Sequence, residues 1–380
     1  MKHHAFNMGG MPSDVKPYKR PAVIGIGSWG TALGATLADN GTRVRIWGRN
    51  KAAVRDINAN HRNSAYVTDA ALPPTLTGVH EMSDALRDAD VVLIVVPSGA
   101  MRSIARQVAQ YVTPGTPVAV CAKGIEAETG LLMSQIVEEE LPGHPIGAVS
   151  GPTFARETIL RHLTAATVGF PFTTFDRLSP EESCAARLAV SLTTEHFRAS
   201  VSDDLVGVEI GGAVKNVIAL ACGMLTGAGF ADNTRAALIT GGLDEMRKLA
   251  TALGGRAETL TGLSGLGDLT LTCNSPTSRN MSLGTQLGSG IPRAACFDGR
   301  PVVVEGEANA ISITDLARKL GVTMPICETI RAILHDGADL GEAFATLWAR
   351  PLEAEPMAMD VVLAHPATDA DIATLAERIS

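Results

Sequence analysis

The residues in this chain best suited to chemistry are two lysines, an aspartate and a polar tripeptide. Lys215 lies in the middle of VGVEIGGAVKNVIALACGM, a stretch apolar nearly all round, so a helix there is predicted to be buried together with its lysine. Gly211, Gly212 and Ala219 share its face at spacings of three and four, and such small residues predict a hollow beside the amine. A lysine taken out of water loses stabilisation of its charged form. Its pKa then moves toward neutrality, as proton transfer to or from a hydroxyl requires. The competing reading is a lysine that snorkels, or that pairs with Glu209 or another carboxylate. Lys123 ends the apolar run VAVCA and precedes Gly124, which places its ammonium at the end of a strand. Asp268 stands in a glycine-rich loop with Gly262, Gly265 and Gly267, where its carboxylate can orient a catalytic lysine. Ser278, Arg279 and Asn280 open a predicted helix. Hydroxyl, guanidinium, amide and free helix N–H groups in one place make a cradle for an oxyanion or phosphate, whereas the plainer reading is a capping serine beside a solvated arginine.

The element that must position these groups runs from Pro21 to Leu37, PAVIGIGSWGTALGATL. Val23, Ile24 and Ile26 read as a buried parallel strand, and Gly25, Gly27 and Gly30 follow in the G-x-G-x-x-G spacing that opens a small-residue helix. A second strand, RVRIW, comes soon after, so the context predicts a dinucleotide-binding turn with the pyrophosphate on the helix N-terminus. The turn after that second strand carries Arg49 and no carboxylate. An acid there would favour a free ribose 2′-hydroxyl, whereas an arginine can accept a 2′-phosphate, so NADPH is expected to be acceptable.

From Pro21 to about Ser200, strand candidates alternate with helices: Ala22–Ile26, Arg43–Trp47, Val91–Val96, Pro117–Ala122, Ile146–Val149, Ala165–Gly169 and Leu192–Arg198. This alternation predicts a mainly parallel, doubly wound α/β sheet, with the direction of the last strands left open. Beyond Ser202-Asp203-Asp204, a helix-start signature, the pattern turns all-α, with helices expected near 203–224, 234–253, 279–288, 307–320 and 326–335. The expected division is a disordered stretch over 1–20, a dinucleotide-binding domain over 21–200, a helical substrate domain over 201–352 and a tail over 353–380.

Composition narrows the function classes. A formal net charge of −8 excludes a general basic field for nucleic acid. The six cysteines show no C-x-x-C pair and no metal spacing, which fits a reducing cytoplasm, and no metal site is expected. No apolar run is long enough to predict a membrane span, and the first twenty residues lack the apolar core of a signal peptide.

With GIGSWGTALG, CAKGIE, SGPTFA, GAVKNVIALACG, NTRAALITGGL, GLSGLGDLTLTC, SRN and VVEGE in this order, the chain resembles the bacterial NAD(P)-dependent glycerol-3-phosphate dehydrogenases over roughly residues 21–352. The resemblance implies a Rossmann-type domain followed by a helical one. It also implies reversible exchange between dihydroxyacetone phosphate and sn-glycerol 3-phosphate with NADPH or NADH, at the head of glycerophospholipid synthesis. By this likeness Lys215 is the proton acceptor or donor. Lys123, Gly151, Thr153, Asp268, Ser278, Arg279 and Asn280 contact substrate; Ser28, Trp29, Arg49, Ala155, Val303 and Glu305 contact the cofactor, with Lys123 and Arg279. Val303 and Glu305 rest on the likeness alone. It leaves a homodimer open. Two other readings compete: a related dehydrogenase acting on another small phosphorylated hydroxy compound, and a non-catalytic NADPH-binding sensor, against which the intact Lys123, Lys215 and Asp268 argue.

Overall fold

Short apolar runs closed by glycine or proline become most of the strands of one eight-stranded sheet. A computed structural model describes residues 15–67, 70–353, 362–368 and 371–379. The strands are β1 (Pro21–Ile24), β2 (Val44–Trp47), β3 (Leu76–Val79), β4 (Val91–Ile94), β5 (Val118–Val120), β6 (Ile146–Ser150), β7 (Thr164–Gly169) and β8 (Phe197–Ser202), in the order β3-β2-β1-β4-β5-β6-β7-β8. All four residues of both β1 and β4 are buried, as expected where helices cover both faces. The pairings are parallel except β6 with β7, so the last two strands run opposite to the rest. The order reverses between β1 and β4, which opens the crevice where doubly wound sheets bind ligands. Gly25 closes that turn at φ +132°, and a Cβ there would lie 2.0 Å from the Val95 carbonyl oxygen, so only glycine fits.

Three expectations need correction, and one strand was not among those expected. The strand over Leu192–Arg198 is displaced to Phe197–Ser202, because Ala185, Leu188, Ala189 and Leu192 form the buried stripe of a helix, Cys184–Leu192, capped by Ser183. β3 escaped notice, its four residues, LTGV, interrupted by an exposed threonine and a glycine. Residues 15–20, expected to belong to a disordered stretch, are held in place. Tyr18 is 1% exposed under the Arg187 guanidinium, its N–H donates to Ser191 Oγ, and the N–H groups of Lys19 and Arg20 donate to Asp90. Residues 1–14 lie outside the described residues. Asp268 does not sit in a loop: a single π turn, Leu263–Gly267, leads into the helix Asp268–Asn274, whose first residue it is.

The helical half is built around the central helix Leu205–Gly227, buried continuously from Gly207 to Leu225. Asp204 caps it, accepting from the Gly207 N–H at 2.9 Å. Its mean hydropathy of 1.6 would suit a membrane span, but its apolar surface is spent on the core. The helix Arg279–Gly288 crosses it at glycines: a Cβ on Gly223 would lie 2.2 Å from the Met281 carbonyl oxygen, and one on Gly284 2.2 Å from that of Leu220. Backbones in such contact carry the start of the second helix to the middle of the first. Helices Asp232–Ala252, Glu305–Leu320, Pro325–His335 and Leu340–Trp348 complete the half, the last of them absent from the expected set. In the tail, Ile372–Ile379 is helical and buries Leu375 against Ala345 and Ala349.

Candidate active site

The carboxyl ends of adjacent strands and the central helix bring the two lysines onto one carboxylate. Lys123 follows β5, and its Nζ donates to Asp268 Oδ2 at 2.6 Å and to the Gly151 carbonyl, just past β6, at 3.1 Å. Lys215 Nζ donates to Asp268 Oδ1 at 2.7 Å and to Thr272 Oγ1 at 2.7 Å. Asp268 therefore bridges both ammonium groups while being 1% exposed. Lys215 pairs with it and not with Glu209, whose carboxylate accepts from the N–H and hydroxyl of Ser134. Burial lowers the Lys215 pKa to about 8; the positive charge of Lys123 pushes the same way, and the Asp268 carboxylate opposes both. Thr272 was missed from the sequence. It stands one turn after Asp268, and its hydroxyl donates to the Asp268 carbonyl at 2.6 Å while accepting from Lys215. The i to i+4 spacing within an assigned helix would have revealed it.

The hollow predicted beside Lys215 is filled with chain. A Cβ on Gly211 would lie 2.3 Å from the Ser264 carbonyl oxygen, and one on Gly212 would lie 2.9 Å from Ser150 Oγ and 3.1 Å from Lys123 Cγ. These two glycines thus admit the segment that delivers Asp268 and the stem that delivers Lys123.

The tripeptide divides its labour. Ser278 Oγ caps its helix, accepting from the Met281 N–H at 3.2 Å. The Asn280 side chain donates to Asn216 Oδ1 and accepts from the Gly306 N–H, both at 2.9 Å, tying three helices together. Arg279 is exposed and donates to the Val303 carbonyl at 2.9 Å. Glu305, which starts its helix, receives a 3.4 Å contact from Asn216 Nδ2. Burial raises its pKa, against the lowering effect of Arg279, Lys215 and Lys123. Thr153 donates to the Gly151 carbonyl at 3.2 Å.

The turn after β1 fits a dinucleotide. Gly27 precedes the helix Ser28–Asp39, and no atom lies within 4 Å of where its Cβ would stand, which leaves room for a pyrophosphate against the first N–H groups. The Trp29 Nε1 beside it is buried without a partner among the described residues. Ser28 donates to the Tyr66 carbonyl at 2.9 Å. Ala155 starts the helix Ala155–Ile159, and it packs with Trp29 against one core cluster. Arg49 is exposed beyond β2.

Comparison with known proteins shows the family. Residues 21–175 match the model of the NAD-dependent glycerol-3-phosphate dehydrogenase N-terminus, and residues 204–345 match that of its C-terminus. The chain is 43% identical over 335 residues to glycerol-3-phosphate dehydrogenase [NAD(P)+] of Rhodospirillum rubrum, covering 88% of this chain and 93% of that one. It is 41% identical over 338 residues to the enzyme of that name from Parvibaculum lavamentivorans, covering 89% and 98%. A crystal structure of glycerol-3-phosphate dehydrogenase from Coxiella burnetii superposes with a TM-score of 0.79 at 34% identity, covering 87% of this chain and 99% of that one. Two lysines on one buried aspartate, a glycine turn with room for a pyrophosphate, and this breadth of similarity lead to one conclusion: the chain belongs to the NAD-dependent glycerol-3-phosphate dehydrogenase family.

Proposed function

We propose that this protein catalyses the reversible reduction of dihydroxyacetone phosphate to sn-glycerol 3-phosphate, using NADPH or NADH. The observation that carries the reading is the buried Asp268 carboxylate holding the ammonium groups of Lys123 and Lys215 at 2.6 and 2.7 Å. When bound, the nicotinamide supplies the hydride in one direction and accepts it in the other. Gly25, Gly27 and Gly30 with Ser28 and Trp29 would hold its pyrophosphate side, and Arg49 the ribose or its 2′-phosphate; Ala155, Val303 and Glu305, with Lys123 and Arg279, supply further contacts. In reduction, Lys215 gives a proton to the oxygen forming at C2; in oxidation it takes that proton back. Lys123, on the more open strand edge, polarises the C2 carbonyl, and Asp268 aims both amines. Arg279 and the first N–H groups of its helix hold the phosphate, with Gly151 and Thr153 as further substrate contacts, while Ser278 and Asn280 fix that helix in place. A cytoplasmic location, supply of glycerophospholipid synthesis, and the division into a cofactor domain over 21–200 and a substrate domain over 201–352 belong to the same proposal.

NADPH oxidation with dihydroxyacetone phosphate, glyceraldehyde 3-phosphate and unphosphorylated dihydroxyacetone tests it. Turnover is expected with the first and little with the others; equal turnover of the unphosphorylated ketone overturns the reading. Two variants refine it. Arg49→Ala is expected to weaken NADPH more than NADH, by about 1–3 kcal/mol for a lost charge-assisted hydrogen bond, and equal losses for both cofactors would remove Arg49 from the 2′-phosphate. Arg279→Ala should raise the KM for dihydroxyacetone phosphate by roughly ten-fold or more, with much less effect on residual turnover of dihydroxyacetone. If both substrates suffer alike, Arg279 serves the cofactor or the Val303 loop instead.

A further inference from the structure

We propose that the amino-terminal edge of the sheet carries a second anion site, which takes a ligand bearing two or more linked phosphates. A hollow of about 660 Å³ opens there, and Lys19, Arg20, Arg43, Arg45 and Arg87 line it against one lining carboxylate, Asp84. Such a concentration of positive charge stands out in a chain of net charge −8. It runs along the sheet as far as Val79, which pairs with Trp47 at the other end of β2, but Arg20 and Arg43 stand at the end away from the cofactor turn: Arg43 precedes β2 and Arg49 follows it, about 20 Å apart at the rise of a strand.

The topology builds the site. β1 and β2 pair with Ala22 opposite Arg45, and β2 and β3 with Val44 opposite Leu76. The same register continued outward sets Arg20, Arg43 and Thr75 side by side at the starts of three neighbouring strands, about 4.8 Å from one to the next. That is a row of donors long enough for more than one phosphate. Two of the cations are engaged locally. Arg45 donates to the Asp84 carbonyl at 3.2 Å and to the Arg87 carbonyl, and Arg87 pairs with Asp84 at 2.5 Å. Lys19, Arg20 and Arg43 are exposed, and no carboxylate among the described residues pairs with their side chains. Asp90 binds the backbone N–H groups of Lys19 and Arg20 at 2.8 and 2.9 Å, which anchors the chain and leaves both side chains available, at the cost of one nearby negative charge.

Three unpaired cations and a partly engaged fourth exceed what a phosphate monoester dianion needs, and they match the charge of a linked di- or triphosphate. The concave shape favours a compact ligand over an extended nucleic acid backbone. Its size lies within the usual range for small-molecule pockets.

Tripolyphosphate, pyrophosphate, ADP and orthophosphate serve as probes, with binding followed by calorimetry on the full chain and on an Arg20→Ala/Arg43→Ala variant. Tripolyphosphate is expected to bind the native protein and to lose roughly ten-fold in affinity per removed charged contact in the variant. NADPH and dihydroxyacetone phosphate KM values should be unchanged, which also reports that the variant folds. Arg279→Ala, which alters the other phosphate cradle, should leave tripolyphosphate affinity intact. ADP binding more tightly than pyrophosphate through the same two arginines would identify a nucleoside polyphosphate; equal affinities would identify a free polyphosphate, and either supports the site. The proposal is overturned if tripolyphosphate fails to bind at millimolar concentration, if orthophosphate binds as tightly, or if the double variant binds like the native protein.

Discussion

A Lys215→Ala enzyme is expected to lose about 10²–10⁴-fold in kcat, the usual worth of a positioned general acid. NADPH affinity should change little, because the amine is held by Asp268 and Thr272 and not by the glycine turn. Lys215→Arg should recover little, since a guanidinium does not give up its proton in the working range. The pH dependence separates this role from a structural one. With the amine lowered to about 8 by burial, oxidation of glycerol 3-phosphate needs the neutral form and should rise with pH through about 8. Reduction of dihydroxyacetone phosphate needs the ammonium and should fall through the same region. Measuring kcat in both directions from pH 6 to 10 tests the pair of limbs. A Lys215→Ala enzyme that keeps most of its kcat would move the proton step, with Lys123 the next residue to examine.

Asp268→Asn should be nearly as damaging, by a different route. It leaves two ammonium groups facing each other with no carboxylate between them, at side chains only 15% and 7% exposed for Lys123 and Lys215. Breaking a buried ion pair by removing one partner typically costs about 3–5 kcal/mol, and the cheapest relief is for one lysine to lose its proton. Lys215 is the one already lowered by burial and by Lys123, with Asp268 holding it up, so its pKa should drop further. The falling limb of the reduction profile then moves to lower pH, and at pH 7 the rate should fall by roughly 10²-fold as the acid form is depleted and its aim is lost. The experiment is a pH profile of reduction beside a melting curve. A lower melting temperature with an unmoved pH limb would make Asp268 a purely structural anchor.

The buried helix around Lys215, the strand-turn-helix over Pro21–Leu37 and the start of the helix at Arg279 were all legible in the sequence, because each has a local cause: an unbroken apolar run, a glycine spacing, a capping serine. The candidate residues Lys123, Lys215, Asp268 and Arg279 could likewise be singled out by type and setting. What the sequence could not decide was partnership. Asp268 bonds to Lys215 across 53 positions and to Lys123 across 145, and no local pattern records distances of that kind. Nor could it tell a hollow from a contact. Gly211 and Gly212 read as space, yet the space is occupied by Ser264 and by the Lys123 stem, because a missing side chain admits whatever chain the rest of the fold delivers. The same limit hid the site at the far edge of the sheet. Lys19, Arg20, Arg43 and Arg87 are ordinary surface cations along the chain, and only the parallel pairing of β1, β2 and β3, with the helix Met82–Leu86 packed on them, gathers them around one hollow.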